Sequence, residues 1–199
     1  IRGGFQVLGG SVKTIESRLA LGIALGTIPA ALAGLLLMDW IEASLRSPKV
    51  IVATLSGYAV LMMLADRYGK REREISGVRI SDAFLIGVAQ ALALIPGTSR
   101  SGVTITAGRL LGFERQDAAR FSFLLAVPVI LLATGYSLIG LLQQEAAVPW
   151  GQLAIGVAVS AIVAYLSIEF FMRFVSRIGL LPFAIYRLAL AVIIVYVLA

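Results

Sequence analysis

The sequence predicts an all-α polytopic membrane protein, with five transmembrane helices and one re-entrant helical hairpin in a single membrane domain, residues 1–199. Composition is the first reason. Apolar residues make up 59% of the chain and charged residues 14%, whereas a soluble domain carries roughly 25% charged residues. Length is the second reason, because nearly uncharged runs of about 20 residues, enough to cross a bilayer as a helix, recur along the sequence.

Five runs have the length and composition of transmembrane helices. The first contains no charge, and Pro29 near its centre predicts a kink. A mixed loop, 39–49, separates it from the second run, which is slightly short. Pro182 is acceptable in the last run because it falls in the first turn. The predicted spans are residues 19–38, 50–65, 118–142, 150–172 and 180–199.

Small residues at every fourth position mark helix faces that can approach another helix closely in lipid. The first span carries such a stripe at Gly22, Gly26, Ala30 and Gly34. The fourth span carries a shorter stripe at Gly156, Ser160 and Ala164. We expect both stripes to serve helix packing.

The charges between the spans predict an orientation. Lys and Arg collect in the cytoplasmic loops of membrane proteins, which accounts for the net charge of +6 without a nucleic-acid partner. The most charged stretch, 66–82, is therefore placed in the cytoplasm. The loop 143–149 has no Lys or Arg and is placed outside, so the C-terminus is expected on the outer side.

One region is too short to span and predicts the re-entrant hairpin, 83–113. Residues 83–95 form an apolar run that ends before Pro96, and a second short run, 103–113, is interrupted by Arg109. Runs of this length suggest re-entrant segments. Non-helical backbone at membrane depth is tolerated only where it is buried in protein or lines a wet cavity. The hairpin tip, residues 96–102, is therefore the prime candidate for function.

The composition of the tip predicts an anion site. Two glycines, Gly97 and Gly102, allow backbone conformations in which successive N–H groups face one ligand. The second half-helix is expected to begin near Ser101 or Gly102, and a helix N-terminus favours phosphate. Arg100 adds a planar guanidinium suited to phosphate oxygens. Hydroxyl groups come from Thr98, Ser99, Ser101 and Thr104.

The sequence alone leaves open the role of the tip and the role of Gln90. The tip is either an active anion site or a polar turn from which Arg100 snorkels to the membrane interface. Gln90 either faces the tip as a further polar group or makes a packing hydrogen bond.

The absence of Cys and His limits the chemistry that these residues can perform, because it removes thiolates, the usual general base and the commonest metal ligand. Hydrolysis would have to use carboxylates, hydroxyls, arginine and bound ions.

The other charges predict structural roles. Glu169 and Arg173 are four residues apart on a helix and are expected to pair. Arg187 lies inside the last span, where it either snorkels inward or faces the central cavity. A solvated cytoplasmic turn is predicted for Arg109, Glu114, Arg115, Asp117 and Arg120.

Three stretches resemble a known family. The sequence QALALIPGTSRSG, residues 90–102, is similar to the second signature of the bacterial undecaprenyl-diphosphatases. FSFLLAVP, residues 121–128, and PFAIYR, residues 182–187, resemble two further stretches of that family, in the same order. The similarity covers nearly all of the chain.

The resemblance implies a polytopic enzyme of the bacterial inner membrane, with inverted repeats and re-entrant half-helices. Such an enzyme hydrolyses undecaprenyl diphosphate to undecaprenyl phosphate and inorganic phosphate. This recycles the lipid carrier of cell-wall synthesis and is associated with bacitracin resistance. The resemblance also implies a divalent cation, Mg²⁺ or Ca²⁺. Carried onto this chain, it assigns catalytic roles to Arg100, Ser99, Ser101 and Thr104, and substrate binding to Gly97, Thr98, Gly102 and Gln90.

The chain departs from the family at its start. The first signature of the family, with its acidic pair and the Ser and His of the other re-entrant hairpin, is not found in these residues. The chain begins at Ile1 without a signal peptide, so we expect the missing signature to lie upstream. No metal ligand can be identified in this chain. The 199 residues alone are therefore expected to hydrolyse little or no lipid diphosphate.

Two other functions fit parts of the sequence. Broken helices whose N-termini face an anion also occur in transporters, so a transporter or flippase of a phosphorylated polyprenyl lipid is the main alternative. A non-catalytic membrane scaffold is the other. The hydroxyl-rich tip around Arg100 favours the enzyme. The sequence leaves open whether the protein forms a homodimer.

Overall fold

The computed structural model describes residues 14–143 and 149–198, and seven α-helices lie in these two ranges. Two single 3₁₀ turns, Ile75–Gly77 and Leu92–Leu94, accompany them. The α-helices are α1 (Ile15–Ser44), α2 (Pro48–Tyr68), α3 (Ile80–Ala91), α4 (Arg100–Leu110), α5 (Arg115–Leu142), α6 (Trp150–Ile178) and α7 (Leu181–Leu198).

Five of these helices, α1, α2, α5, α6 and α7, are long and apolar enough to cross a membrane. They coincide with the five predicted spans, and the all-α multi-pass fold is confirmed. The predicted loop at 39–49 is wrong, because α1 continues to Ser44 and α2 begins at Pro48. Charged residues beyond the apolar run do not end a helix. Here the chain turns within three residues, and the Ser47 side chain caps α2 by accepting the Val50 N–H.

The short helices α3 and α4 provide the helix–turn–helix that the hairpin prediction requires. They are 12 and 11 residues long, and a non-helical tip joins them. The longer helices α2 and α7 contact the tip. Thr54 of α2 donates a hydrogen bond to the Pro96 carbonyl at 2.6 Å, and Arg187 of α7 donates to the Gly97 carbonyl at 2.5 Å. Thr98 is buried, Ser99 is exposed and the other tip residues are half-buried, so the tip is packed against protein on one side and open on the other. Irregular backbone at membrane depth is tolerated where it is enclosed by protein or lines a wet cavity.

A seam of small residues packs α1 against α3. A Cβ atom on Gly22 would lie 3.0 Å from the Ala83 Cβ, and one on Gly26 would lie 2.7 Å from the Ala83 carbonyl oxygen. Ala30 is buried, whereas Gly34 has no neighbour within 4 Å of an added Cβ. The first predicted stripe therefore packs a helix along most of its length.

The second predicted stripe does not pack within the described part of the chain. Gly156, Ser160 and Ala164 are all exposed, as is every residue from 151 to 168. The buried and half-buried residues of α6 all lie from Glu169 onward. A helix that is apolar on all sides suits a bilayer, and spacing alone does not show whether a partner helix is present.

Replacing Gly87 with alanine is expected to destabilise the fold. Its added Cβ would lie 2.1 Å from the Gly26 carbonyl oxygen, so the backbones of α1 and α3 would have to separate. Overpacking of this kind costs about 1–3 kcal/mol, which would lower the Tm measured by circular dichroism in detergent. Gly34→Ala is the matched control, because open space surrounds that position. A Tm for Gly87→Ala no lower than that of Gly34→Ala would contradict the seam.

Candidate active site

The backbone of the tip is held in an unusual conformation. Gly97 has φ of 90°, which glycine tolerates, but Ser99 has φ of 65° and ψ of 116°, a combination that a residue with a side chain rarely adopts. Such strain persists only where the surroundings enforce it, and it concentrates at functional sites. Ser99 is also the N-cap of α4, and its Oγ accepts the Gly102 N–H at 3.4 Å.

Hydrogen bonds from within the hairpin fix this turn. Thr98 is fully buried, and its hydroxyl donates to the Ile95 carbonyl at 2.6 Å and lies 3.2 Å from the Leu92 carbonyl. Thr98 thus secures the shape of the tip with its side chain, and its hydroxyl is occupied by those carbonyls.

Arg187 contacts the same turn from α7. Its Nη2 donates to the Gly97 carbonyl at 2.5 Å and to the Thr98 carbonyl at 2.6 Å, and the residue is only 7% exposed. The sequence left two alternatives for Arg187, and the structure decides for the interior position. Its Nε has no hydrogen-bond partner in the described part of the chain.

A cavity of about 380 Å³ opens beside the tip, between the tip and helices α2, α6 and α7. Its polar wall consists of Gly97, Ser99, Ser101, Gly102 and Arg187. The remaining wall is mostly apolar and aromatic, formed by Leu55, Met62, Ile105, Phe171, Leu180, Phe183 and Tyr186. A cavity whose lining combines a cation and hydroxyl groups with a larger apolar part suits a ligand that has both a phosphate and a hydrocarbon portion.

Arg100 and Thr104 lie on another side of the tip, against α5. Arg100 Nη1 is 3.4 Å from the Ser122 carbonyl oxygen, and Arg100 lies outside the lining of the cavity. Thr104 is buried, and its hydroxyl is 2.6 Å from the Ser122 hydroxyl and 2.9 Å from the Arg100 carbonyl. Thr104 therefore supports the first turn of α4, while Ser99 and Ser101 face the cavity.

The electrostatics of the tip favour an anion. Neither Arg100 nor Arg187 forms an ion pair with a carboxylate among the residues that the structure describes. The first turn of α4 adds backbone N–H groups without intrahelical acceptors and the positive end of the helix dipole. The Arg187 guanidinium and the N-terminus of α4 thus meet at the turn, and Arg100 lies on its α5 side, with no carboxylate paired to either arginine in the described residues.

Gln90 is an exception to the rule that buried polar groups are paired. It is 2% exposed, and neither Oε1 nor Nε2 has a hydrogen-bond partner in ranges 14–143 and 149–198. The packing hydrogen bond that the sequence left open is therefore not formed. An unsatisfied buried amide costs about 1–3 kcal/mol, and such a group needs an explanation. A ligand role for Gln90 stays a prediction.

The predicted solvated turn is wrong for Arg109 and Arg115. Arg109 is fully buried, with Nη1 donating to the Phe113 carbonyl at 2.5 Å and Nη2 to the Gly69 carbonyl at 3.1 Å. Arg115 Nε donates to the Asp66 carboxylate at 2.6 Å. Their acidic partner lies in a distant helix, so the local sequence gave no sign of it. The solvated assignment does hold for the exposed Glu114 and Arg120, and Asp117 is half-buried.

Two residues that support the tip were not predicted from the sequence, Thr54 of α2 and Ser122 of α5. Ser122 lies in a stretch that resembles the family, and this is the only feature of the sequence that could have indicated it. No feature of the sequence indicated Thr54. The predicted pair of Glu169 and Arg173 is confirmed at 2.5 Å on an exposed helix surface.

The carboxylates of the described residues do not form a metal site. No cluster of three or more Asp or Glu side chains suitable for a metal occurs in the described ranges. The buried Asp66 and Asp82 are both paired with arginines, Asp66 with Arg115 and Asp82 with Arg73. The described residues therefore do not by themselves provide a site for the divalent cation that the resemblance implies.

Fold and site together define a polytopic helical membrane protein with two arginines and a helix N-terminus at the tip of a helical hairpin. Residues 2–193 match the family described as bacitracin resistance protein BacA. The chain belongs to this family.

Individual relatives agree with that assignment. The chain is 48% identical over 190 residues to a protein of Thioalkalivibrio sulfidiphilus named undecaprenyl-diphosphatase, covering 95% of this chain and 71% of the relative. A protein of the same name from Nitrosococcus oceani is 48% identical, covering 96% of this chain and 72% of the relative. Undecaprenyl-diphosphatase 2 of Stutzerimonas stutzeri is 51% identical, covering 89% of this chain and 67% of the relative.

Proposed function

We propose that the protein hydrolyses undecaprenyl diphosphate to undecaprenyl phosphate and inorganic phosphate at the hairpin tip. The product re-enters cell-wall synthesis as the lipid carrier, and this recycling gives bacitracin resistance. One observation supports the proposal above the others. The wall of one cavity combines Arg187, which has no ion-pair partner in the described residues, and the residues at the start of α4 with a larger apolar lining, and Arg100 is the first residue of α4.

The reaction needs charge stabilisation more than covalent chemistry. One water molecule is consumed overall: its oxygen becomes bonded to the terminal phosphorus, and the bond from that phosphorus to the bridging oxygen breaks. The lipid monophosphate leaves with the bridging oxygen, and the protons of the water pass to the phosphate products or to solvent. Negative charge spreads over the phosphoryl oxygens, so catalysis depends on positioning and on cationic donors. Arg100 binds the diphosphate with its fork of N–H groups, for which its side chain leaves the Ser122 carbonyl, 3.4 Å away, and turns toward the cavity. The first turn of α4 offers further N–H donors.

The remaining residues complete the site. Ser99 and Ser101 direct their hydroxyls to the cavity, where they contact the phosphate groups. Gly97 and Gly102 line the cavity, and their lack of side chains lets Thr54 and the Arg187 guanidinium approach the turn, which Thr98 holds. Gln90 offers an amide with free donors and acceptor. Thr104 supports Arg100 through the first turn of α4.

The test is release of inorganic phosphate from undecaprenyl diphosphate by the protein as its gene encodes it, purified in detergent. We expect one phosphate for each lipid monophosphate formed. Absence of release, with the protein folded by circular dichroism, would contradict the proposal. Movement of labelled lipid across vesicles without phosphate release would support the flippase instead. The 199 residues assayed alone test the separate expectation that they hydrolyse little lipid.

Three finer points are also proposals. A divalent cation, Mg²⁺ or Ca²⁺, supports the reaction, which EDTA followed by re-addition of each ion would test. The protein lies in the bacterial inner membrane with its C-terminus on the outer side, which a C-terminal reporter active only outside the cytoplasm would test. The third proposal is that the protein forms a homodimer, which light scattering of the detergent-solubilised protein would test.

A further inference from the structure

We propose that Arg187 is a positioning residue, which holds the strained tip in the conformation that presents Ser99 and the start of α4 to the phosphate. This inference rests on the proposed function, since it assigns Arg187 a part in the same site. It concerns the backbone of the tip, so it can also be measured without substrate.

The bonds of Arg187 fall on the strained part of the turn. Its Nη2 donates to the carbonyl groups of Gly97 and Thr98, which immediately precede Ser99. The Gly97 and Ser99 φ angles are both positive, 90° and 65°. A charged donor shared by two carbonyl groups is a strong restraint, and it ties the residues that enter the strained conformation to α7.

Arg187 also contacts the far side of the turn. A Cβ atom on Gly102 would lie 2.7 Å from Arg187 Nη1 and 3.3 Å from Ser99 Oγ. Gly102 therefore leaves the space that the guanidinium occupies. Arg187 touches the chain both before and after the N-cap of α4, so α7 fixes the direction in which the first turn of α4 and the Ser99 hydroxyl face the cavity.

The surroundings of Arg187 differ from those of an ordinary buried arginine. A buried arginine is ordinarily neutralised by a carboxylate, but Arg187 has carbonyl acceptors only, and its Nε has no partner in the described residues. Arg109 provides the contrast, because it is also buried and lies 3.5 Å from a carboxylate oxygen of Asp66. The donors of Nη2 are committed to the two carbonyl groups of the strained turn, which is the arrangement expected of a residue that holds this turn in place.

The experiment uses Arg187→Met, which keeps the length and apolar stem of the side chain and removes its donors. Amide hydrogen exchange of residues 97–103 is expected to become at least about tenfold faster, with exchange in α1 and α3 unchanged. A misplaced catalytic geometry costs about 100-fold in rate. We therefore expect kcat to fall about 100-fold with KM changed less than threefold. Arg187→Lys should recover part of both effects, because an ammonium can donate to the same carbonyl groups.

Gly102→Ala is the second variant, since it displaces the guanidinium without removing it. It should reproduce the faster exchange at 97–103. Arg173→Met is the control, because the Arg173 side chain is 75% exposed on the helix surface. Unchanged exchange at 97–103 in both Arg187→Met and Gly102→Ala would overturn the proposal. So would a tenfold rise in KM at constant kcat, which would make Arg187 a direct ligand. If the unsubstituted protein releases no phosphate, the proposed function fails and the exchange measurement still decides the role of Arg187.

Discussion

Replacing Arg100 with alanine is expected to lower the rate of phosphate release about 1000-fold, which is the range for an arginine that stabilises phosphoryl transfer. The physical reason is the loss of a cation that has no ion-pair partner in the described residues and lies at the N-terminus of α4. The measurement is kcat/KM for undecaprenyl diphosphate with the protein as its gene encodes it.

The fold should tolerate this substitution, which makes the result interpretable. The only side-chain hydrogen bond of Arg100 in the described ranges is a long one, 3.4 Å to the Ser122 carbonyl. The Tm should therefore change little. Arg100→Lys keeps the charge but loses the planar fork, and it should retain more activity than alanine. Arg120→Ala removes an exposed arginine of α5 and should stay within twofold of the original. Retention of more than a tenth of the activity by Arg100→Ala would refute the phosphate role of Arg100.

The sequence was sufficient for the features that depend on composition and length. The five spans are set by the hydrocarbon thickness of a bilayer, which each run must match. The hairpin was predicted from the same comparison of length, because its two apolar runs are too short to cross the hydrocarbon layer. The chemistry of the tip was also visible, because glycines, hydroxyls and Arg100 lie together in one stretch.

The features that depend on contacts between distant positions could not be predicted. Arg109 looked like a residue of a polar turn, and its carboxylate partner Asp66 lies 43 positions earlier in the chain. Arg187 left two alternatives open, since its depth in the last span says nothing of the direction in which it faces. The structure also separates two groups that the sequence placed together, because Arg100 faces α5 while Ser99 and Ser101 face the cavity.

The charged cluster around Asp66 joins four parts of the fold. Asp66 lies near the end of α2 and accepts hydrogen bonds from Arg115 at the start of α5, with Nε at 2.6 Å and Nη2 at 2.9 Å. It also accepts the Leu180 N–H, just before α7, at 3.2 Å. Arg109 near the end of α4 lies 3.5 Å away. Because α4 and α7 deliver Arg100 and Arg187 to the tip, this cluster sets the positions of both elements that form the site.

Replacing Asp66 with asparagine is expected to be the most destabilising of these changes. The shape is kept, but the charge that compensates the fully buried Arg109 is lost. Breaking a buried pair by removing one partner costs about 3–5 kcal/mol, which for a chain of this size lowers the Tm by roughly 10 °C. Glu169→Gln is the matched control, since it removes one carboxylate from an exposed pair four residues apart, where less than about 1 kcal/mol is at stake. Thermal unfolding in detergent compares the two. Equal Tm values would show that Arg109 is stabilised by its carbonyl acceptors alone, and that the Asp66 carboxylate does not hold the four elements together.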